Sequence, residues 1–563
     1  MIGDALEIQG ENPNRVRSYR TASRRIEASN VNVMQSVLDG DIGNIPGVGK
    51  TIAEIIKEFT LTGSSSQLSD ARDSLPDGIF DLLKLQGLGP KTVGRLYREL
   101  NIDGIDTLEQ AALSGRIREL SGMGVKRERR IVSEITLFRQ RAGCYLLGDA
   151  YPAATALVDS FIGNTDIQRI GIAGAIRRGE STVRKVELVA STYSPAEDCS
   201  RSLNNKISLK SISKNLLSGQ LNNGLPVQIH LCQPRAYAAN LLWHTGSKNH
   251  VDRLRQIATS RDMILDPEGL RHKSDGQTTT DNDEAAIYKC LGMPFIPAEL
   301  RENQGEIEAA LENRLPALIN LSDIVGELHT HSDWSDGSDT LQDMISAAIR
   351  ENLEYYVVSD HSHSLQIANG LDVVRLMEQR SEVNKIAMQT KGLSVLHGSE
   401  TDILKNGELD FEDDILQQLD WVTASIHTSF SQSRTKQTER MIRAVRNPFV
   451  DSIGHPTGRI LNQREAYDID ITQVINAAIE TGTAMELNAM PDRLDLPDTH
   501  ARIAVDQGAK LVINTDAHSA RHLSLLYYGV ITARRAWVTK EHVLNCMSLD
   551  ELTDWRKSRI ANS

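Results

Sequence analysis

Nine histidines and carboxylates between positions 329 and 518 share one placement, at or near the end of an apolar run. The run 327–331 carries His329 and His331, with Asp336 close behind in Ser335-Asp336-Gly337. The run 355–359 ends in Asp360-His361, 393–399 in Glu400, 421–426 in His427, 451–454 in His455, and 510–515 in Asp516-Ala517-His518. Any one of these histidines alone reads as an ordinary hydrogen-bonded polar residue. Six of them, placed alike and joined by three carboxylates, read as one shared site. Imidazoles and carboxylates without thiolates suit manganese, zinc or iron, not a structural zinc–sulfur site. Nine ligands are too many for one ion and fit two or three. Adjacent divalent cations polarise a phosphoryl group, activate water near neutral pH and stabilise a leaving oxygen. The chemistry expected is hydrolysis of a phosphodiester or phosphomonoester.

The elements that must position these residues follow from the same pattern. Residues 322–530 alternate apolar strands with longer amphipathic helices, which predicts a parallel α/β arrangement closed into a barrel. In such a barrel the C-terminal strand ends converge on one face, so ligands distant in sequence meet in one pocket. His329 and His331 lie two apart on a strand, so both imidazoles point to one side. His244, His363 and His397 lack this placement and are read as non-ligands.

The rest of the chain reads differently. Residues 1–140 form short helices broken by glycine turns, and three turns repeat an apolar residue, then G-x-G, then lysine. They are Ile45-Pro46-Gly47-Val48-Gly49-Lys50, Leu85-Gln86-Gly87-Leu88-Gly89-Pro90-Lys91 and Leu120-Ser121-Gly122-Met123-Gly124-Val125-Lys126. Glycine lets the backbone approach a ligand closely, the helix N-terminus that follows offers amides to a phosphate, and lysine supplies the counter-charge. One such turn is weak evidence. Three with the same flanks predict sequence-independent binding to the DNA backbone. Residues 145–235 contain strand-like runs at 168–173, 186–190 and 226–231; residues 240–315 read as helical, then mixed.

The net charge of −13 argues against a protein that coats DNA. Residues 1–150 hold 20 basic and 20 acidic side chains, so the whole excess falls in 151–563 and suits a region built around cations. Five scattered cysteines without a C-x-x-C pair fit free thiols in a reducing compartment. The N-terminus lacks a basic start with an apolar run, and no apolar stretch is long enough to span a bilayer. The expectation is a monomer in the cytoplasm, associated with the nucleoid.

The metal constellation closely resembles the PHP (polymerase and histidinol phosphatase) domain family, through His329, His331, Asp336, His361, Glu400, His427, His455, Asp516 and His518. The resemblance implies a distorted, TIM-like β/α barrel with a trinuclear site, Asp360 in support behind the ligands, and Arg459 in contact with phosphate. Further upstream, Gly10-Glu11-Asn12-Pro13, the turn Gly174-Ala175-Ile176-Arg177-Arg178-Gly179, Thr245-Gly246-Ser247-Lys248-Asn249-His250 and Ile296-Pro297-Ala298-Glu299-Leu300-Arg301-Glu302 resemble bacterial family X DNA polymerases. That resemblance implies five parts. They are a small helical domain with helix-hairpin-helix at 1–75, helix-hairpin-helix fingers at 76–145, an α+β nucleotidyltransferase-like palm at 146–238, a thumb at 239–318 and the PHP domain at 319–563. It also implies manganese-dependent 3′–5′ exonuclease activity, and action at abasic sites.

The departures from that family bear on function. Its polymerases hold magnesium with three palm aspartates; here the matching positions are Lys185, Glu187 and His230. A lysine ammonium repels the cation, magnesium demands oxygen ligands, and the turn's usual serine is Ala175. Magnesium is therefore not expected in the palm, and nucleotidyl transfer is expected to be absent or weak. The lysine some members use for Schiff-base chemistry aligns with Ile55, which forms no imine; Lys50 and Lys57 read as phosphate contacts or solvent-facing residues. The reading is a manganese- or zinc-dependent phosphodiesterase that takes single-stranded, gapped or 3′-ended DNA in repair. The DNA contacts fall at Gly47, Gly49, Lys50, Gly87, Gly89, Lys91, Gly122, Gly124 and Lys126. The alternatives are an active family X polymerase with exonuclease, a small-molecule phosphatase of the histidinol-phosphatase kind, and a non-catalytic DNA scaffold.

Overall fold

The computed structural model describes residues 1–562 apart from 28–32, 46, 86, 162–165, 202–206, 275 and 277–282, so Pro46 and Gln86 of the first two glycine turns lie outside the described residues. The chain divides into two compact units, residues 1–142 with 462–464, and residues 143–461 with 465–563.

The first unit is helical among its described residues. In each glycine turn the leading glycine takes a left-handed backbone, with φ +90° at Gly47, +86° at Gly87 and +77° at Gly122. A side chain other than glycine is strained there. The residue between the glycines does the opposite work: Val48, Leu88 and Met123 are buried and anchor their turns in the cores beneath. Helices Lys50–Thr62, Pro90–Leu100 and Val125–Arg141 start directly after the turns. Lys50, Lys91 and Lys126 are exposed. Among the described residues, nothing lies within 4 Å of a Cβ placed on Gly49, Gly87, Gly89, Gly122 or Gly124, and these glycines are exposed, whereas one on Gly47 would press on Thr21. Ala5 and Ile8, from the first helix Ile2–Gln9, pack into the core of residues 75–135.

The second unit contains two main sheets. The palm-like sheet has strands β1 Arg169–Ala173, β2 Val186–Ser191, β3 Ser208–Ser213, β4 Leu216–Gln220 and β5 Pro226–Cys232, in the order β1-β2-β5-β4-β3. Only β2 and β5 run parallel. Helices Tyr237–Thr245 and Lys248–Ser260 follow.

The barrel comprises β6 Gly326–Glu327, β7 Tyr355–Val358, β8 Ser394–Asp402, β9 Trp421–Ser425, β10 Ser452–Ile453, β11 Ala484–Asn488 and β12 Leu511–Asn514. All seven are parallel and adjacent in sequence order. A single parallel bridge, Thr330 to Ala517, brings the chain after β6 against the end of β12 and nearly closes the ring. Strands covered on both faces bury every residue, as β7, β9, β11 and β12 do; β9 and β11 bury polar residues as well, Thr423, Ser425, Glu486 and Asn488. Among the described residues, no helix is long and apolar enough to cross a membrane.

Trp421 at the start of β9 is 1% exposed, packs against Trp555 at 6.0 Å between ring centroids, and donates to Thr423 Oγ1 at 3.2 Å. Trp421→Ala is expected to destabilise the barrel by about 3–5 kcal/mol through the cavity it leaves. Urea unfolding followed by circular dichroism would show a lowered midpoint for the barrel's transition; an unchanged midpoint would contradict this packing.

Candidate metal centre

Strand β8 and the loops that follow the other barrel strands carry the cluster. Glu400 is its centre. Its Oε1 lies 3.4 Å from His329 Nε2, 3.3 Å from His427 Nε2 and 3.0 Å from His455 Nε2. Its Oε2 lies 3.5 Å from His331 Nε2 and 2.8 Å from His361 Nδ1. Asp516 Oδ1 faces His331 Nε2 at 3.1 Å and His329 Nε2 at 3.6 Å. Asp336 Oδ1 sits 3.4–3.5 Å from His518 and His361. Among the described residues, three overlapping sets have every ligand atom within 4.8 Å: His331, Asp336, His361 and His518; His329, His331, Glu400 and Asp516; His361, Glu400 and His427. His455 belongs to none of these sets and joins the cluster through Glu400.

The cluster grades from closed to open. The side chains of His329, His331 and Glu400 are fully buried, whereas His518 is 32% and Asp336 35% exposed, which places the mouth on their side. Two members hold left-handed backbone, with φ +51° at Asp516 and +28° at His455; such strain outside glycine collects at functional sites. The residue before His455 must be small, because a side chain at Gly454 would collide with Ser425 and Thr423.

The electrostatics follow from burial. Burial opposes a charge on Glu400, yet the imidazoles of His427, His329 and His361 outweigh it and hold the carboxyl well below the usual range. His427 is pushed up to about 10 against its own burial by Glu400 and Asp402. His331, buried and hemmed in by His518 and His361, is pushed down to about 3. Several deeply buried polar atoms have no hydrogen-bond partner among the described residues: His329 Nε2, both ring nitrogens of His331, His361 Nδ1, His455 Nδ1, Glu400 Oε2 and Asp516 Oδ1. Buried polar atoms are rarely left so. His329 Nε2, His331 Nε2, His361 Nδ1, Glu400 Oε2 and Asp516 Oδ1 converge on one another and fit divalent cations, and the imidazole–carboxylate set matches borderline and hard ions.

Two carboxylates that the sequence did not single out hold the histidines from behind. Glu486, inside β11, accepts from His329 Nδ1 at 2.7 Å and from the His455 backbone N–H at 2.6 Å. Asp402 pairs with His427 Nδ1 at 2.6 Å. Its position two residues beyond Glu400, on the same face of β8, was a usable signal. Asp360, expected in support, accepts from the backbone and hydroxyl of Ser332 and from Ser335 and Gln379, and so braces the loop that presents Asp336.

Arg459 departs from expectation. Its guanidinium donates to the carbonyls of Arg493 and Leu494, so it ties down a loop and does not face the cluster. The arginine that reaches the cluster is Arg493, whose Nε is 3.6 Å from Asp516 Oδ2. His397 turns away to Gln379 at 3.1 Å, His363 is exposed, and His244 stacks on His230 at 3.5 Å in the palm.

In the palm, Lys185, Glu187 and His230 come together. Lys185 Nζ lies 2.7 Å from Glu187 Oε1, and His230 Nε2 lies 3.8 Å from the same oxygen. Burial would raise the Glu187 carboxyl, but His230 and Lys185 hold it below its usual range. The two arginines of the preceding turn are also engaged, Arg177 with Glu284 and Arg178 with Glu180 and Glu302. An ammonium thus stands where a cation would need oxygen ligands.

Barrel and cluster define a PHP-type domain with a buried metal site. Family comparison agrees: the PHP domain matches residues 327–490, the DNA polymerase beta thumb 240–302, a helix-hairpin-helix domain 1–65 and a SAM-like helix-hairpin-helix tandem 79–136. The chain is 35% identical to the DNA polymerase/3′-5′ exonuclease PolX of Bacillus subtilis (strain 168), over 98% of this chain and 97% of that one. A probable phosphatase of Thermoanaerobacter sp. (strain X514) is 28% identical over 39% of this chain and 90% of its own. A probable phosphatase of Photobacterium profundum is 30% identical over 29% of this chain and 63% of its own. The chain belongs to the bacterial family X DNA polymerases that carry a C-terminal PHP domain.

Partners that orient metal-binding imidazoles typically contribute 10–100-fold to metal affinity. Glu486→Gln is therefore expected to weaken manganese binding by about that factor, measured by isothermal titration of the full chain. Unchanged affinity would show that Glu486 does not orient His329.

Proposed function

We propose that the protein is a metal-dependent 3′–5′ DNA exonuclease whose polymerase centre has lost nucleotidyl transfer. The observation that carries this reading is the gathering of six imidazoles and three carboxylates at one barrel end, with buried atoms that lack partners. His329, His331, Asp336, His361, Glu400, His427, His455, Asp516 and His518 would hold two or three manganese or zinc ions. When bound, such ions polarise the phosphoryl group and lower the pKa of water. The chain's own part is to fix the imidazoles through Glu486 and Asp402, to exclude solvent at the Glu400 end and to admit the scissile phosphate at the Asp336–His518 side. The relative named polymerase/3′-5′ exonuclease, matched end to end, supports DNA as substrate. The bare glycine turns with Lys50, Lys91 and Lys126 would grip the backbone of single-stranded, gapped or 3′-ended DNA without reading sequence. Helical parts at 1–75 and 76–145, a palm at 146–238, a thumb at 239–318 and the PHP domain at 319–563 are the organisation proposed.

A second reading, a phosphatase of small monoesters, draws on the relatives described as probable phosphatases. One assay separates the two. With manganese, nucleotide release from labelled single-stranded and gapped DNA is expected to exceed phosphate release from small monoesters. The double variant His329→Ala/His331→Ala is expected to lose at least about a hundredfold of the DNA activity. Faster monoester turnover would favour the phosphatase.

The same double variant tests the palm free of exonuclease. Primer extension with magnesium or manganese is expected to yield little or no product, because Lys185 neutralises Glu187. Robust incorporation would show that the altered palm still transfers nucleotides.

A further inference from the structure

The barrel has a seam. Its seven strands are hydrogen-bonded in order, but among the described residues the two end strands, β6 and β12, are not paired with each other. The seam matters because the chain leaving β6 carries His329 and His331, and the chain leaving β12 carries Asp516 and His518. A short segment beyond the last strand fills it. Val543 forms an isolated parallel bridge with Leu511 of β12, and the Val325 N–H, just before β6, donates to Asn545 O at 2.9 Å. Val543, Leu544 and Asn545 are all buried.

The Asn545 side chain does there what the peptide groups of a strand would do. Its Oδ1 accepts from the Ile513 N–H of β12 at 2.8 Å, and its Nδ2 donates to the Gly326 carbonyl of β6 at 2.9 Å. Nδ2 also donates to Asn514 Oδ1 at 3.0 Å. Asn514 Nδ2 donates in turn to Glu486 Oε1 at 3.0 Å, the oxygen that accepts from His329 Nδ1. A side-chain amide offers both a donor and an acceptor, as a peptide group does, and buried backbone groups left unpaired are costly. Nearer the cluster Glu327 spans the same seam. Its Oε1 accepts from the Leu328 and His329 N–H groups at 3.1 and 3.2 Å, and its Oε2 from the Thr515 N–H and hydroxyl at 3.0 and 2.9 Å.

We propose that Asn545 is a positioning residue for the metal centre: by closing the seam it sets the His329–His331 pair against the Asp516–His518 pair. This assignment rests on the metal-cluster reading above and divides the ligand sets in two. His331, Asp336, His361 and His518 span the seam, as do His329, His331, Glu400 and Asp516. The set of His361, Glu400 and His427 does not, because it draws only on β8 and the loops after β7 and β9. Slackening the seam loosens the first two sets and spares the third.

The test uses the full chain with manganese alone as probe. Asn545→Leu removes every polar atom of the side chain while keeping its bulk. By equilibrium dialysis it is expected to hold one ion at wild-type affinity and to weaken the others by about tenfold or more, the usual effect of losing a partner that supports metal ligands. Neighbouring manganese ions couple magnetically, so electron paramagnetic resonance reads their spacing. The coupled signal of the wild type is expected to give way to that of an isolated ion, with circular dichroism unchanged. Asn545→Ser, whose small side chain leaves room for water to restore some of the bonds, is expected to lose less, and it carries the test if leucine prevents folding. Affinities and coupling unchanged, or all ions weakened equally, would overturn the assignment and leave the metal-cluster reading intact. Wild-type protein that takes up no manganese would overturn both.

Discussion

A carboxylate sealed inside a barrel and faced by five imidazoles is the constraint on which this structure turns. Glu400 has no exposed side-chain surface, and His329, His331, His361, His427 and His455 all point nitrogen atoms at it within 3.5 Å. Removing an ion from water costs several kcal/mol even after relaxation. The arrangement persists only because opposite charge is brought to it, by protonated imidazole in the bare protein or by cations when they bind. Everything around serves that end. Seven parallel strands aim their C-terminal ends at one point, Glu486 and Asp402 fix imidazole rings from behind, and Asp360 braces the loop that carries Asp336.

The palm uses the same physics with the opposite result. Glu187 is also partly buried, but an ammonium and an imidazole already meet it, so its charge is spent before any ion arrives. In one chain, then, one buried carboxylate is surrounded by imidazoles and another is already paired with an ammonium.

Much of the barrel was legible in the sequence, for a physical reason. Strands buried on both faces are mostly apolar, so His331, His361 and His427 stand out near their ends. The glycine turns were legible for a related reason, since only an apolar residue between two glycines both anchors the turn and bares its backbone. What stayed hidden lies within elements or depends on direction. Glu486 sits mid-strand, where nothing in the sequence marks it as a partner of His329. Arg459 and Arg493 both follow barrel strands, and the family resemblance pointed to the former. Hydrogen bonds from Arg459 to the Arg493 and Leu494 carbonyls turn that arginine away from the cluster. The packing of Ala5 and Ile8 beneath residues 75–135 was equally hidden, because an amphipathic helix shows that it has a partner without showing which.

The central claim is that these imidazoles and carboxylates share cations. Elemental analysis of the full chain after purification without chelator and equilibration with manganese tests it most directly. The account predicts two or three transition-metal ions per chain, lost together in Glu400→Ala. A stoichiometry near zero in the wild type, or one unaffected by that substitution, would contradict it.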